Sequence, residues 1–297
     1  MRRVLVLALL IGCSGMPRTL PSGSRSPDGR MPASWYAGGP TCDGRPAFQV
    51  HQYRDGFFIL RQPACTNYEK PFLYLIIGRE RALLLDTGAG GIDVVGVVDT
   101  LLGAWRRTHG GSPQSLIVSH SHGHGDHVAG DGQFRGRAGV TLVERDTVST
   151  RAFFGFTAWP QSPVTIDLGK RMIDVIGIPG HQPASLAFYD RSTGVLLPGD
   201  SFYPGRLYVS DTAAFVRSIG RLVGFTATRP VTAILGTHIE QTAEPYVDYP
   251  IGTKDQPNEH QLELTRADLV VLDSTFRAMR GNMVRTRLPH FTIWPTP

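Results

Sequence analysis

From Phe48 to Leu85 short apolar runs alternate with turn residues, a pattern that predicts strands rather than helices. Phe48 to Tyr53 and Gly56 to Arg61 form one expected hairpin. Phe72 to Ile77 and Ala82 to Leu85 form a second, turning at Gly78-Arg79-Glu80. From Ile92 to Trp105 the apolar spacing shifts to the helical period, and Ser115 to Val118 returns to the β-branched run of a buried strand. Further elements follow at Val140 to Val143, Asp146 to Phe154 and Arg171 to Ile178. A strand pair at Ser185 to Tyr189 and Val195 to Leu197 turns at Ser192-Thr193-Gly194. Asp211 to Val223 is a helix with an aspartate cap, and Val231 to Leu235 a strand. Glu259 to Met279 has helical spacing and is expected on the outside of the domain, and Phe291 to Trp294 adds an edge strand.

Chemistry concentrates after the strand Ser115 to Val118. Residues Ser119 to Gly130 contain His-x-His-x-Asp-His, formed by His122, His124, Asp126 and His127. The end of a strand is where α/β folds place their reactive groups. In extended chain, residues two apart point the same way, so His122 and His124 can grip one cation while Asp126 and His127 turn toward another. Four metal-competent side chains in six positions are unfavourable together without a cation among them. His120 lies outside this spacing and is expected to be a strand-end or supporting imidazole.

This stretch resembles the signature of the metallo-β-lactamase-fold hydrolases, and the resemblance runs from about Phe48 to Ala278. It implies an α/β fold, an αββα sandwich of two mixed β-sheets flanked by helices. It further implies that Ile178-Pro179-Gly180-His181 supplies a third imidazole to the first metal. Leu197-Pro198-Gly199-Asp200 then supplies a bridging carboxylate, and Ile234-Leu235-Gly236-Thr237-His238 the last imidazole. The expected sets are His122, His124 and His181 for one cation and Asp126, His127 and His238 for the other, with Asp200 and a water between them. Asp86, in Asp86-Thr87-Gly88, is expected near the metals without binding them, where a carboxylate orients a ligand histidine.

Composition narrows the reading. With 297 residues, 41% hydrophobic and 19% charged, the chain has ample core for one large domain. The net charge is +5, or +3 without Arg2 and Arg3, and no basic cluster with interleaved aromatics occurs, so nucleic acid is not an expected partner. Residues 1–12 read as a secretion signal, a basic start followed by an apolar run too short to span a bilayer. Leu10-Ile11-Gly12-Cys13 resembles the bacterial lipoprotein box, which implies acylation of Cys13 and an exported periplasmic or outer-membrane lipoprotein. Residues 13–45, rich in Gly, Pro, Ser and Arg, are expected to be a flexible tether, and 46–297 the metal-binding domain. Cys42 and Cys65, the two remaining cysteines, suggest a disulfide in an oxidising compartment.

Imidazole ligation without a thiolate suits Zn²⁺, two per chain, and the carboxylates also admit Fe or Mn. The expected activity is hydrolysis of a small molecule at a lactone, thioester, ester or β-lactam carbonyl by a metal-bridging hydroxide, with Asp126 steering it or moving a proton. Tyr203, Arg206 and Tyr208 follow Asp200 closely and are expected to overhang the site, binding a substrate carboxylate or capping the leaving group. His260 is expected at a surface or cap position. Two other classes fit the same scaffold: an iron-dependent oxidoreductase resembling persulfide dioxygenases, and a non-catalytic surface lipoprotein that binds its ligand.

Overall fold

Strand β3 (Phe72–Ile77) shows how the layers arise. Its odd and even positions belong to two different cores, because successive side chains of a strand point to opposite faces. Phe72, Tyr74 and Ile76 no longer reach water and sit among residues of the facing sheet, while Leu73, Leu75 and Ile77 face a helix. The computed structural model describes residues 28–36, 39, 41–111, 113 and 115–296.

In chain order the first half comprises β1 (Gln49–Arg54), β2 (Phe57–Arg61), β3, β4 (Arg81–Leu85), α1 (Val94–Thr108), β5 (Ser115–Ser119), α2 (Gly125–Val128), β6 (Val140–Leu142) and α3 (Thr147–Phe154). The second half comprises β7 (Val164–Asp167), β8 (Met172–Gly177), β9 (Leu186–Asp190), β10 (Val195–Leu197), β11 (Arg206–Val209), α4 (Thr212–Thr226), β12 (Ala233–Leu235), β13 (Glu263–Leu264), α5 (Arg266–Met279), β14 (Thr286–Arg287) and β15 (Thr292–Pro295).

Strands β1 to β6 form one six-stranded sheet in sequence order. A second is ordered β13-β12-β10-β9-β8-β7. Both are mixed, since β4, β5 and β6 run parallel, as do β10 and β12, while the remaining pairs are antiparallel. The layer between them holds Phe57, Ile59, Leu83, Leu85 and Ile117 from one sheet and Ile173, Val175, Phe188, Leu197 and Leu235 from the other. Helix α1 covers the outer face of the first sheet through Val94, Val98, Leu101 and Leu102, at the i, i+4, i+7, i+8 spacing of one helical stripe. Helices α4 and α5 cover the second. The result is the expected αββα sandwich.

Three parts of the chain depart from expectation. Residues 28–36, placed within a tether ending at 45, pack on the domain: Trp35 is buried edge-on against Phe72, and the carbonyl of Arg30 meets His51 Nε2 at 2.8 Å. Two adjacent aromatics, Trp35 and Tyr36, in an otherwise mostly polar stretch have no periodicity to reveal the packing. The helix expected from Glu259 begins at Arg266, because Thr265 and Asp268 form a reciprocal capping box and Glu263–Leu264 pairs with β12 instead. Finally, Phe291 to Trp294 is no edge. Strand β15 is the middle of a third sheet, parallel to β11 and antiparallel to β14, so the loop expected after Asp200 becomes a strand. Cys42 and Cys65 are joined by a disulfide that ties the chain before β1 to the loop after β2. The expected signal and Cys13 lie outside the described residues, among which no helix is long and apolar enough to cross a membrane.

Candidate metal centre

Five strand ends deliver one cluster. Strand β4 ends at Asp86, β5 runs into His120 to His127, β8 is followed by His181, β10 by Asp200 and β12 by His238. Backbone bonds stitch these ends across the two sheets, from Phe72 N to Thr237 O and from Leu186 N to Ser121 O, both 2.8 Å. The turn into Asp200 needs glycine at 199. Its φ is +56°, and an added Cβ there would stand 2.6 Å from Ser121 Cβ.

Seven side chains predicted from the sequence meet here as two groups, and among the described residues these are the two such groups of His, Cys, Asp and Glu. In the first, His181 Nε2 lies 3.2 Å from His122 Nε2 and 3.0 Å from His124 Nδ1, and those two are 2.9 Å apart. In the second, Asp126 Oδ2 is 3.2 Å from both His127 Nε2 and His238 Nε2, which are 3.3 Å from one another. Asp200 spans them: Oδ1 lies 3.5 and 3.4 Å from His127 and His238, while Oδ2 lies 3.7 Å from both His122 and His181.

The far side of each ring explains what the near side offers. His127 Nδ1 donates to Asp86 Oδ2, His181 Nδ1 to Tyr208 O and His238 Nδ1 to Glu69 O, all at 2.9 Å. The Ser121 hydroxyl donates to Asp86 Oδ2, so it accepts from His122 Nδ1 at 3.1 Å. A neutral imidazole has one N–H, so these bonds leave four Nε2 lone pairs aimed at neighbouring nitrogens. Such an arrangement repels itself unless a cation or protons lie between. Ligands bound tetrahedrally at about 2.0–2.1 Å stand about 3.3 Å apart, and the donor set of imidazole nitrogens and carboxylate oxygens fits a pair of divalent cations.

Electrostatics splits the cluster. Burial holds His122 and His124 below the usual imidazole value, with nearby His127 and His181 adding to it. For His127 burial works against the charge, yet Asp200, Asp126 and Asp86 hold it well above normal. His238 is likewise opposed by burial and raised by Asp200 and Asp126, to about 9. Burial would raise Asp126 and Asp200, but the histidines facing them pull both well below the usual carboxylate range. Three carboxylates thus draw positive charge to the His127 side. Protons or a cation can supply it, and a cation binds there in competition with protons.

The other predicted positions divide. Asp86 is fully buried at φ +68° and accepts from Ser121 N at 2.7 Å as well as from His127. His120 turns away and meets Asp131 Oδ1 at 2.8 Å, apart from the cluster. His260 faces His290 at 2.9 Å, also apart. The substrate role expected for Tyr203 and Arg206 does not hold, because β11 and the third sheet bury both. The Tyr203 hydroxyl donates to Arg206 O and to Glu240 Oε2, and Arg206 pairs with Glu240 at 3.4 Å and donates to Tyr249 O. Tyr208 is half-buried, and the contact it makes with the cluster is its carbonyl. Sequence reading missed Ser121 and Thr237, whose hydroxyls hold Asp86 and Asp200. Both lie inside the quoted motifs, so their position was the available signal; the carbonyls of Glu69 and Tyr208 leave no trace in residue type.

A family model described as the Metallo-beta-lactamase superfamily matches residues 70–244. A hydroxyacylglutathione hydrolase of Synechococcus sp. is 28% identical over 110 residues, covering 36% of this chain and 44% of that protein. The chain therefore spans less than half of that relative's length. An acyl-coenzyme A thioesterase of Gallus gallus, MBLAC2, is 24% identical over 217 residues, covering 62% of this chain and 77% of its own. Among solved structures, the DIM-1 metallo-beta-lactamase exposed to ceftazidime aligns with a TM-score of 0.52 at 14% identity, over 78% of this chain and 98% of that one, a likeness of fold.

Proposed function

The chain belongs to the metallo-beta-lactamase superfamily, and from that premise we propose that it is a hydrolase working with two divalent cations, zinc by preference, on an acyl carbonyl. His122, His124 and His181 would hold one cation, Asp126, His127 and His238 the other, and Asp200 both. When bound, such a pair supplies a water nucleophile active near neutral pH and polarises the attacked carbonyl. The observation that carries the reading is Asp200, which presents one oxygen to each histidine group.

The chain's own residues do the rest. Asp86, Ser121 and the carbonyls of Glu69 and Tyr208 fix ring orientation, so the cluster is arranged before substrate arrives. Asp126 is the more exposed of the two cluster carboxylates, which supports the reading that it would hold the proton of the attacking water and pass it to the leaving group. Among carbonyl substrates a thioester is favoured over a lactone, ester or β-lactam, because one relative is an acyl-coenzyme A thioesterase and another a hydroxyacylglutathione hydrolase.

Elemental analysis of the purified protein, followed by assay of the zinc-loaded form on thioesters, lactones and β-lactams, tests this. Two zinc ions per chain with thioester turnover lost in Asp200→Asn is the expected result. One redox-active iron per chain and no hydrolysis would overturn it in favour of an oxidoreductase.

We further propose export and lipid anchoring through Cys13, a reading supported by Leu10-Ile11-Gly12-Cys13 and by a disulfide of the kind oxidising compartments permit. Palmitate labelling of the chain in a bacterial host, abolished in Cys13→Ser, is the expected outcome; equal labelling of both forms rejects it.

A further inference from the structure

The solvent-facing edge of the cluster runs along Gly123, His124, Gly125 and Asp126, none of which is buried. Arg145, on the loop between β6 and α3, lies against that edge. A Cβ built on Gly123 would stand 3.6 Å from both Arg145 Cβ and Arg145 Cδ, so the arginine stem runs along the backbone between two of the candidate ligands. With His122, Thr150 and Ala184 it also lines a small recess beside the cluster.

Its two sequence neighbours are acidic, but neither pairs with it. Glu144 pairs with Arg135 at 2.7 Å, and Asp146 caps α3 by accepting from the backbone N–H of Val148 and Ser149 at 3.0 and 2.9 Å. Among the described residues Arg145 makes no ion pair and no side-chain hydrogen bond. Arg206 differs, being buried and paired with Glu240. An arginine head presents a planar fork of donors that matches carboxylate or phosphate oxygens.

We propose that Arg145 is the anion-recognising residue of this site, selecting substrates that carry a carboxylate or phosphate on the group flanking the scissile carbonyl. This deepens the hydrolase reading and rests on it. Arg145 does not touch the reacting atoms; it sets where the flanking group lies.

The test uses two thioesters with the same acyl group, one made from 3-mercaptopropionate and one from neutral 2-mercaptoethanol. For the zinc-loaded protein, Arg145→Ala is expected to raise KM for the anionic thioester about tenfold with kcat little changed, the loss of one charge-assisted contact at an exposed site. The neutral thioester keeps its KM, and Arg145→Lys recovers part of the loss. Rising salt should raise KM for the anionic substrate in the natural protein but not in Arg145→Ala, because the attraction is screened. A second readout needs no turnover: calorimetric binding of 3-mercaptopropionate to the zinc-loaded protein should weaken in Arg145→Ala, while 2-mercaptoethanol binding stays unchanged. Equal effects on the charged and neutral compounds, or none on either, overturn the proposal. If the natural protein hydrolyses neither thioester, the hydrolase reading fails, and the thiol-binding comparison alone decides on Arg145.

Discussion

Asp86 acts on the metal centre without facing it. Its two oxygens accept from Ser121 N, Ser121 Oγ and His127 Nδ1, so one buried carboxylate sets both the loop and the tautomer of a candidate ligand. Asp86→Asn keeps the shape but presents an amide N–H to His127, driving the imidazole proton to Nε2, where a cation must bind. Zinc affinity should fall about 10–100-fold, read by titration against a chelating dye; unchanged affinity would show that the tautomer is set elsewhere. Lys70, two residues before β3, shows a different residue-scale effect. It is buried, with Nζ donating to Tyr68 O at 2.7 Å and Thr253 O at 3.1 Å, and burial followed by the nearby Arg61 charge lowers its amine to about 8. Between that value and the ordinary 10.5 the unfolded chain carries a proton that the folded chain has released, so this group's contribution to stability rises with pH across the window and is flat below it. Urea unfolding at stepped pH should show the stability of the natural protein gaining on Lys70→Met from pH 8 upward; parallel curves would refute the shift.

At the scale of elements, one arginine couples the two sheets. Arg171, just before β8, donates through Nη1 to the carbonyls of Asp55, Gly56 and Ile77 at 3.0–3.1 Å, and through Nη2 to Asp190 at 2.6 Å. The β1–β2 turn and the end of β3 are thereby fastened to β9. Arg171→Met leaves Asp190 buried without its charge partner and takes a donor away from three carbonyls, of which Gly56 O keeps its bond from Ile77 N, a loss of about 3 kcal/mol in urea denaturation. The apolar runs of β3, β8 and β9 were legible beforehand, since each strand feeds two cores and, Asp174 and Asp190 apart, carries few polar side chains. Strands β7 and β11 were not, because four residues carry too little pattern to distinguish from loop. The start of α5 was misplaced for a similar reason: helical spacing continues N-terminally through residues that pair with β12, and the Thr265 cap alone marks the boundary.

For the whole molecule, the cluster is a liability without a cation, because lone pairs converge and three carboxylates collect at one point. Metal should therefore couple to stability as any ligand does that binds the folded state alone, contributing about 4 kcal/mol when free zinc exceeds its dissociation constant a thousandfold. Chelation with excess EDTA is expected to lower Tm by several degrees, with recovery on adding zinc, and the shift should shrink sharply in Asp200→Asn. Identical melting with and without chelator would argue that protons alone settle the cluster. The disulfide and the packing of Trp35 hold residues 28–36 and Cys42 to the same body as the cluster.

The sequence by itself determined what is local: the order of strands and helices, the glycine-spaced group from His122 to His127, and, through family resemblance, the later positions of His181, Asp200 and His238. Side-chain direction repeats every two residues in a strand and every 3.6 in a helix, and such periods survive in the letters of a chain. Only the tertiary structure decided that rings 59 and 111 residues apart face one another, that backbone carbonyls orient two of them, and that Arg206 is buried while Arg145 stands at the rim. Those outcomes depend on which layers pack together and where each head group finds a partner, and no window along the chain contains both halves of such a contact.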